Sequence, residues 1–132
     1  MARRILVADD EALVAVSLAD LLEADGYDVT LAFDGEQALE RAVAALAEAG
    51  GRRFDALVTD FAMPGMDGAE LVLRAREARP GLPALVITGY ADAEALERLP
   101  ADVATLRKPF QREDLARRVK GLVEGARTAE KA

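Results

Sequence analysis

The 132-residue chain has no cysteine, no histidine and no tryptophan. Without cysteine it forms no disulfide, thiolate nucleophile or sulfur-bound metal site. Without histidine it has neither imidazole general-base catalysis nor Cys/His zinc, and no phosphohistidine of its own. Any metal must be held by oxygen. Aromatic residues are 5% of a chain that is 52% hydrophobic, so the interior has to be Leu, Val, Ile and Ala packed between regular elements. No apolar stretch approaches the ~20 residues of a membrane span, and Met-Ala-Arg-Arg leads into a short aliphatic run rather than the apolar core of a signal peptide. A cytoplasmic protein with no membrane partner is expected. Basic residues are outnumbered 17 to 24, the net charge is −7 and no basic run is present, which argues against direct nucleic-acid binding.

What is present is a repeated alternation. RILVAD at residues 4–9 is an aliphatic run ending in acid, and residues 11–25 then carry Val14, Leu18, Leu21 and Leu22 at helical spacing up to Gly26. DVTLAF at 28–33 reads as a second strand. Asp34 and Gln37 have capping-box spacing before a helix with Ala38, Leu39, Ala42, Val43 and Leu46 on its buried side. Beyond Gly50-Gly51-Arg52-Arg53 come a strand at 54–60, a helix capped by Asp67 with Glu70 and ended by Pro80-Gly81, and a strand ALVIT at 84–88. A short helix at 91–99, a weak strand at 102–106 and a final helix from about 111 to 124 complete the pattern, with fraying expected from Gly125. Strands that are continuous aliphatic runs, alternating with helices, predict a mostly parallel sheet covered on both faces.

In such sheets ligands bind outside the carboxyl ends of the strands. Those ends deliver Asp9 and Asp10, Asp60, Thr88 and Lys108. Taken singly, each has an ordinary reading as a helix cap, a turn residue or a solvated lysine. Together they put three carboxylates, a hydroxyl and an ammonium on one sheet edge. Two carboxylates ~4 Å apart repel by ~4 kcal/mol at an effective dielectric of ~20, so the cluster calls for positive charge beyond Lys108. Mg²⁺, or Mn²⁺, suits an all-oxygen site completed by water. A cation, a lysine, a hydroxyl and one carboxylate standing alone on its strand describe phosphoryl transfer, with Asp60 as nucleophile.

VADDE at 7–11, LVTDFAMPGMDG at 57–68, ITG at 87–89 and KPF at 108–110 together resemble the receiver domain of two-component response regulators, over essentially the whole chain. The resemblance implies a flavodoxin-like (βα)5 three-layer α/β sandwich with strand order 2-1-3-4-5, as a receiver domain over residues 1–126 with a polar tail at 127–132. It implies that Asp60 accepts a phosphoryl group from the phosphohistidine of a histidine kinase or histidine phosphotransfer protein. Asp10, Asp60 and the main-chain carbonyl of Ala62 would bind Mg²⁺, with Asp9 acting mainly through water. Lys108 and Thr88 would contact the phosphoryl group, and the Lys108-Pro109 bond would be cis. The resemblance further implies that the state would be passed to a downstream protein target, and that the chain would not be an enzyme beyond assisting its own phosphorylation and slow dephosphorylation.

Two features depart from the family pattern. Thr105 occupies the position three before the lysine, usually aromatic, which leaves Tyr90 as the nearest aromatic for the switch. Ala62 offers no side-chain hydrogen bond to a hydrolytic water and Tyr90 could shield the phosphate, so slow autodephosphorylation is expected. On the first helix, Leu13 and Val16 lie away from the buried stripe and form a possible kinase docking surface. With no output domain after residue 124, action on DNA is not expected. DFAMPGMDG with TGYA also resembles receivers of hybrid histidine kinases. Two other classes compete: a pseudo-receiver that binds without phosphorylation, and a haloacid-dehalogenase-like phosphohydrolase, whose paired acids on the first strand Asp9-Asp10-Glu11 do not reproduce.

Overall fold

A computed structural model describes residues 2–47, 53–89 and 95–131. Five strands, β1 (Arg4–Ala8), β2 (Asp28–Ala32), β3 (Ala56–Asp60), β4 (Ala84–Thr88) and β5 (Ala104–Arg107), form one parallel sheet in the order β2-β1-β3-β4-β5. Helices α1 (Ala12–Ala24), α2 (Gly35–Ala47), α3 (Gly68–Ala78), α4 (Ala95–Arg98) and α5 (Arg112–Lys131) connect and follow them. The expected α/β architecture and strand order are those observed. Residues 50–52 and 91–94, which carry the expected glycine break and the start of the expected fourth helix, lie outside the described residues.

Side chains alternate across the sheet because successive residues of a strand point to opposite faces. Ile5 and Val7 of β1, with Val58, Leu85 and Ile87, pack against Leu18 and Leu22 of α1 and Leu115, Val119 and Val123 of α5. Leu6 and Ala8, with Leu57 and Val86, pack against Ala38 and Ala45 of α2 and Leu71, Val72 and Ala75 of α3. Both faces are thus covered, which is why residues 5–8 of β1, 56–58 of β3 and 84–87 of β4 are continuous aliphatic runs. All ten residues of β3 and β4 are buried, whereas the sheet edges β2 and β5 are only partly so.

The helices differ from expectation in which residues they bury. In α1 the innermost stripe is Ala15, Leu18, Ala19 and Leu22, with Val14 and Leu21 only partly covered at its borders. In α2, Val43 and Leu46 are exposed and Ala45 is buried. The cause is common to both: small alanines let the helix approach the sheet closely, so larger residues one step around the helix reach its margin. Helix α5 continues to Lys131 rather than stopping near Glu124.

The ends of the helices obey local rules. Asp34 accepts a 2.7 Å hydrogen bond from the Gln37 amide, and the Gln37 side chain accepts one of 2.8 Å from the Phe33 amide, one residue before the cap. Asp67 caps α3 by accepting from the Glu70 amide at 2.9 Å. Such caps stabilise by about 1 kcal/mol each. Gly26 ends α1 with φ +92°, a left-handed conformation that side chains disfavour.

Candidate functional site

The carboxyl ends of β1, β3, β4 and β5 bring the sequence-derived site residues together. Asp9 follows β1 and is fixed by its amide, which donates to the Ala32 carbonyl of β2 at 3.1 Å. Asp60 is the last residue of β3, and the next amide, Phe61, donates to the Ile87 carbonyl of β4 at 2.9 Å. Lys108 follows β5, its amide donating to the Thr88 carbonyl at 2.8 Å, and the Lys108-Pro109 bond is cis as expected. Each functional side chain is therefore delivered by a strand end already held in the ladder.

Asp9, Asp60 and Thr88 are buried, while Asp10 is exposed. One carboxylate oxygen from each of Asp9, Asp10 and Asp60 lies within 4.8 Å of the others. The Lys108 ammonium sits 3.0 Å from Asp60 Oδ1. Asp9 Oδ1 accepts from the Glu11 amide at 2.9 Å, which also turns the chain into α1, but the buried Asp9 Oδ2 has no hydrogen-bond partner among the described residues. A buried carboxylate oxygen without a partner costs about 1–3 kcal/mol or more.

The ionisation equilibria register the same crowding. Burial raises the Asp9 pKa above its ordinary value, and the charges of Asp60 and Asp10 push it further, against the Glu11 amide and Lys108. For Lys108 burial acts against the charge, yet the hydrogen bond and charge of Asp60, with Asp9 and Glu11 behind it, hold the pKa above the ordinary one. A cluster with an orphaned buried oxygen, an adjacent exposed carboxylate and repulsion left over after its lysine fits a hard cation with oxygen ligands. Asp9, Asp10 and Asp60 could hold one.

The other expected residues lie in the loop after Asp60, inside β5, on α1 or outside the described set. Ala62 is exposed in the loop leaving Asp60. Thr105 lies inside β5 in register with Val86 and is half-buried. Tyr90 lies outside the described residues. Leu13 and Val16 are 84% and 45% exposed on α1, the helix that starts beside the acids.

The sequence reading missed Gly68. A Cβ there would stand 2.5 Å from the Asp60 carbonyl oxygen and 2.9 Å from Phe61 Cα, so α3 presses its first residue directly on the backbone of the proposed nucleophile. Its amide donates to the Phe61 carbonyl at 2.8 Å. A glycine at a helix start just after a capping aspartate was the available signal, since glycine is a poor helix former.

Comparisons with known proteins agree with this geometry. Residues 5–120 match the response regulator receiver domain family. The chain is 38% identical to the response regulator receiver protein CpdR of Brucella abortus, over 94% of this chain and 99% of that protein. It is 44% identical to a response regulator receiver protein of Anaeromyxobacter, over 81% of this chain but only 43% of that longer protein. It is 35% identical to part of the sensor kinase CckA of Brucella abortus, over 91% of this chain and 12% of the kinase. Among solved structures, a CheY-like receiver domain protein of Methanospirillum hungatei superposes with a TM-score of 0.85 at 28% identity, covering 98% of this chain and 99% of that one.

Proposed function

Because the chain belongs to the response regulator receiver domain family, we propose that it is a working phosphoacceptor, taking a phosphoryl group onto Asp60 from the phosphohistidine of a histidine kinase or phosphotransfer protein. The observation that carries this is the buried Asp60 carboxylate, 3.0 Å from Lys108 and sharing a 4.8 Å cluster with Asp9 and Asp10. An Asp60 oxygen attacks phosphorus, the phosphorus–nitrogen bond of the donor breaks, and its electron pair stays on the imidazole. Lys108 neutralises charge on the transferring group, and the Thr88 hydroxyl is the hydrogen-bond donor at the same edge. Asp10, Asp60 and the Ala62 carbonyl, with Asp9 mainly through water, would hold Mg²⁺, which would supply Lewis-acid stabilisation of charge on the transferring group.

Intact-mass spectrometry after incubation with acetyl phosphate and Mg²⁺ tests the reading. One metal-dependent phosphate adduct is expected on the wild type and none on Asp60→Ala. No adduct on the wild type would favour a pseudo-receiver, and rapid turnover of phosphate esters an enzyme. In this reading the chain catalyses only its own phosphorylation and slow dephosphorylation, and signals from the cytoplasm by binding a downstream protein. The slow decay is attributed to Ala62, and an Ala62→Asn variant with an unchanged aspartyl-phosphate lifetime would remove that attribution.

The exposed pair Leu13 and Val16 supports docking of the phosphodonor protein on α1. Leu13→Glu should impair phosphorylation by the donor protein and spare phosphorylation by acetyl phosphate. Equal loss with both donors rules docking out. Among the described residues no helix is long and apolar enough to cross a membrane.

A further inference from the structure

Strand β3 is buried along its whole length, and it carries one hydroxyl, Thr59, directly before Asp60. Thr59 stands in register with Ala8 of β1 and Val86 of β4, both in the apolar cluster between the sheet and helices α2 and α3. Leu57, two residues earlier on the same face, belongs to that cluster as well. Valine has the shape of threonine and no polar atom to desolvate, so packing alone favours valine at this position. A buried hydroxyl there is accounted for by the bond it makes. Thr59 Oγ1 donates to the Asp60 main-chain carbonyl at 2.9 Å.

That carbonyl is one side of the peptide joining Asp60 to Phe61, and the other side is also held: the Phe61 amide donates to the Ile87 carbonyl of β4 at 2.9 Å. Gly68 closes on the same carbonyl from α3, where a Cβ would stand 2.5 Å away. The outer end of the loop is anchored separately. The Arg98 guanidinium pairs with the Asp67 carboxylate at 2.6 Å, and its Cζ lies 5.9 Å from the centroid of the Phe61 ring. Thr59 acts on the inner end. A peptide held at both its oxygen and its nitrogen fixes the Asp60 Cα, and with it the place of the carboxylate, 3.0 Å from Lys108, and the course of the chain to Ala62. We infer that Thr59 is a positioning residue for the phosphoacceptor: its hydroxyl orients the segment from Asp60 to Ala62, and so tunes phosphoryl transfer to Asp60 and cation binding by the acids while touching neither ligand. The effect on phosphoryl transfer rests on the phosphoacceptor reading, and the effect on the cation on the acidic cluster alone.

The test compares wild type with Thr59→Val, which removes the hydroxyl and keeps the shape, and Thr59→Ser, which keeps the hydroxyl and removes a buried methyl. Stability is read by urea unfolding, Mg²⁺ affinity by titration of the Asp10 and Phe61 ¹⁵N amide resonances without phosphodonor, and the adduct from acetyl phosphate by intact mass. Thr59→Val should bind Mg²⁺ and form adduct roughly three- to ten-fold more weakly and slowly than wild type, the scale of one hydrogen bond. Its urea midpoint should nevertheless lie at or above that of Thr59→Ser, which loses a core methyl. Thr59→Ser should restore both Mg²⁺ affinity and adduct rate towards wild type. A purely structural role gives the opposite order, with affinity and rate following stability. That order, or wild-type affinity and rate in Thr59→Val, overturns the positioning role. Absence of any adduct on the wild type overturns the phosphoacceptor reading and the effect on phosphoryl transfer with it, while the Mg²⁺ titration still decides the effect on the cation.

Discussion

The two ends of the sheet treat charge in opposite ways. At the amino end, charges are neutralised where they stand. Asp55 accepts from the Arg4 amide at 2.8 Å and pairs with Arg3 at 3.3 Å, Arg4 lies 4.5 Å over the Phe54 ring, and Arg79 donates to the Phe54 carbonyl. Arg76 donates to the Leu82 carbonyl and makes two 2.9 Å bonds to Asp102. At the carboxyl end three carboxylates crowd together, one buried oxygen has no partner among the described residues, and Asp9 is harder to ionise than an ordinary aspartate. The same ladder supports both ends, so the contrast is not forced by the fold. The amino end uses its charges for stability, and the carboxyl end keeps an electrostatic deficit that a phosphoryl group and a cation can use.

The largest effect is expected at Gly68. Gly68→Ala should destabilise the protein by about 2–3 kcal/mol in urea unfolding and also displace Asp60, so that adduct formation with acetyl phosphate falls. An unchanged midpoint and adduct would show that α3 does not press on the Asp60 backbone. Asp9→Asn should act in the reverse sense at the same edge: without Mg²⁺ the variant should be more stable by about 1 kcal/mol, because a crowded buried charge has gone, while Mg²⁺-dependent stabilisation in thermal melts is lost. A destabilised metal-free variant would mean the acids are not in deficit.

At the amino end, Asp55→Ala should cost about 1 kcal/mol and leave the rate of adduct formation at Asp60 as it was. A change in that rate would mean the two ends are not separable. The smallest effect is electrostatic and pH-dependent. Asp67 has a pKa lowered from 3.8 in the folded protein, so the stability it contributes is present above that pH and lost as the pH falls through the folded value. The stability gap between wild type and Arg98→Ala should therefore be full at pH 6 and shrink below pH 3.8. A gap independent of pH would assign the Arg98 contribution to Phe61 instead.

Much of this is legible in the sequence. The aliphatic runs of β1, β3 and β4 could only be strands buried on both sides, and strand ends fixed the edge at which Asp9, Asp60, Thr88 and Lys108 had to meet. The caps at Asp34 and Asp67 were equally readable, because a cap depends on residues three apart. The face of α2 was read less well. Val43 and Leu46 fit the apolar period, but the period fixes a stripe and not its centre, and the centre moved to the alanines once the helix packed closely on the sheet.

The sequence by itself determined the order of elements, the parallel sheet and the chemical identity of the groups at its carboxyl edge, since periodicity and strand ends are local properties of the chain. Only the tertiary structure decided which Asp9 oxygen has no partner, that Gly68 lies against the Asp60 carbonyl, and that Arg98 reaches across 31 residues to Asp67. Those facts depend on distances between segments remote in the chain. Such distances are set by how closely helices settle on the sheet, and no local pattern encodes that.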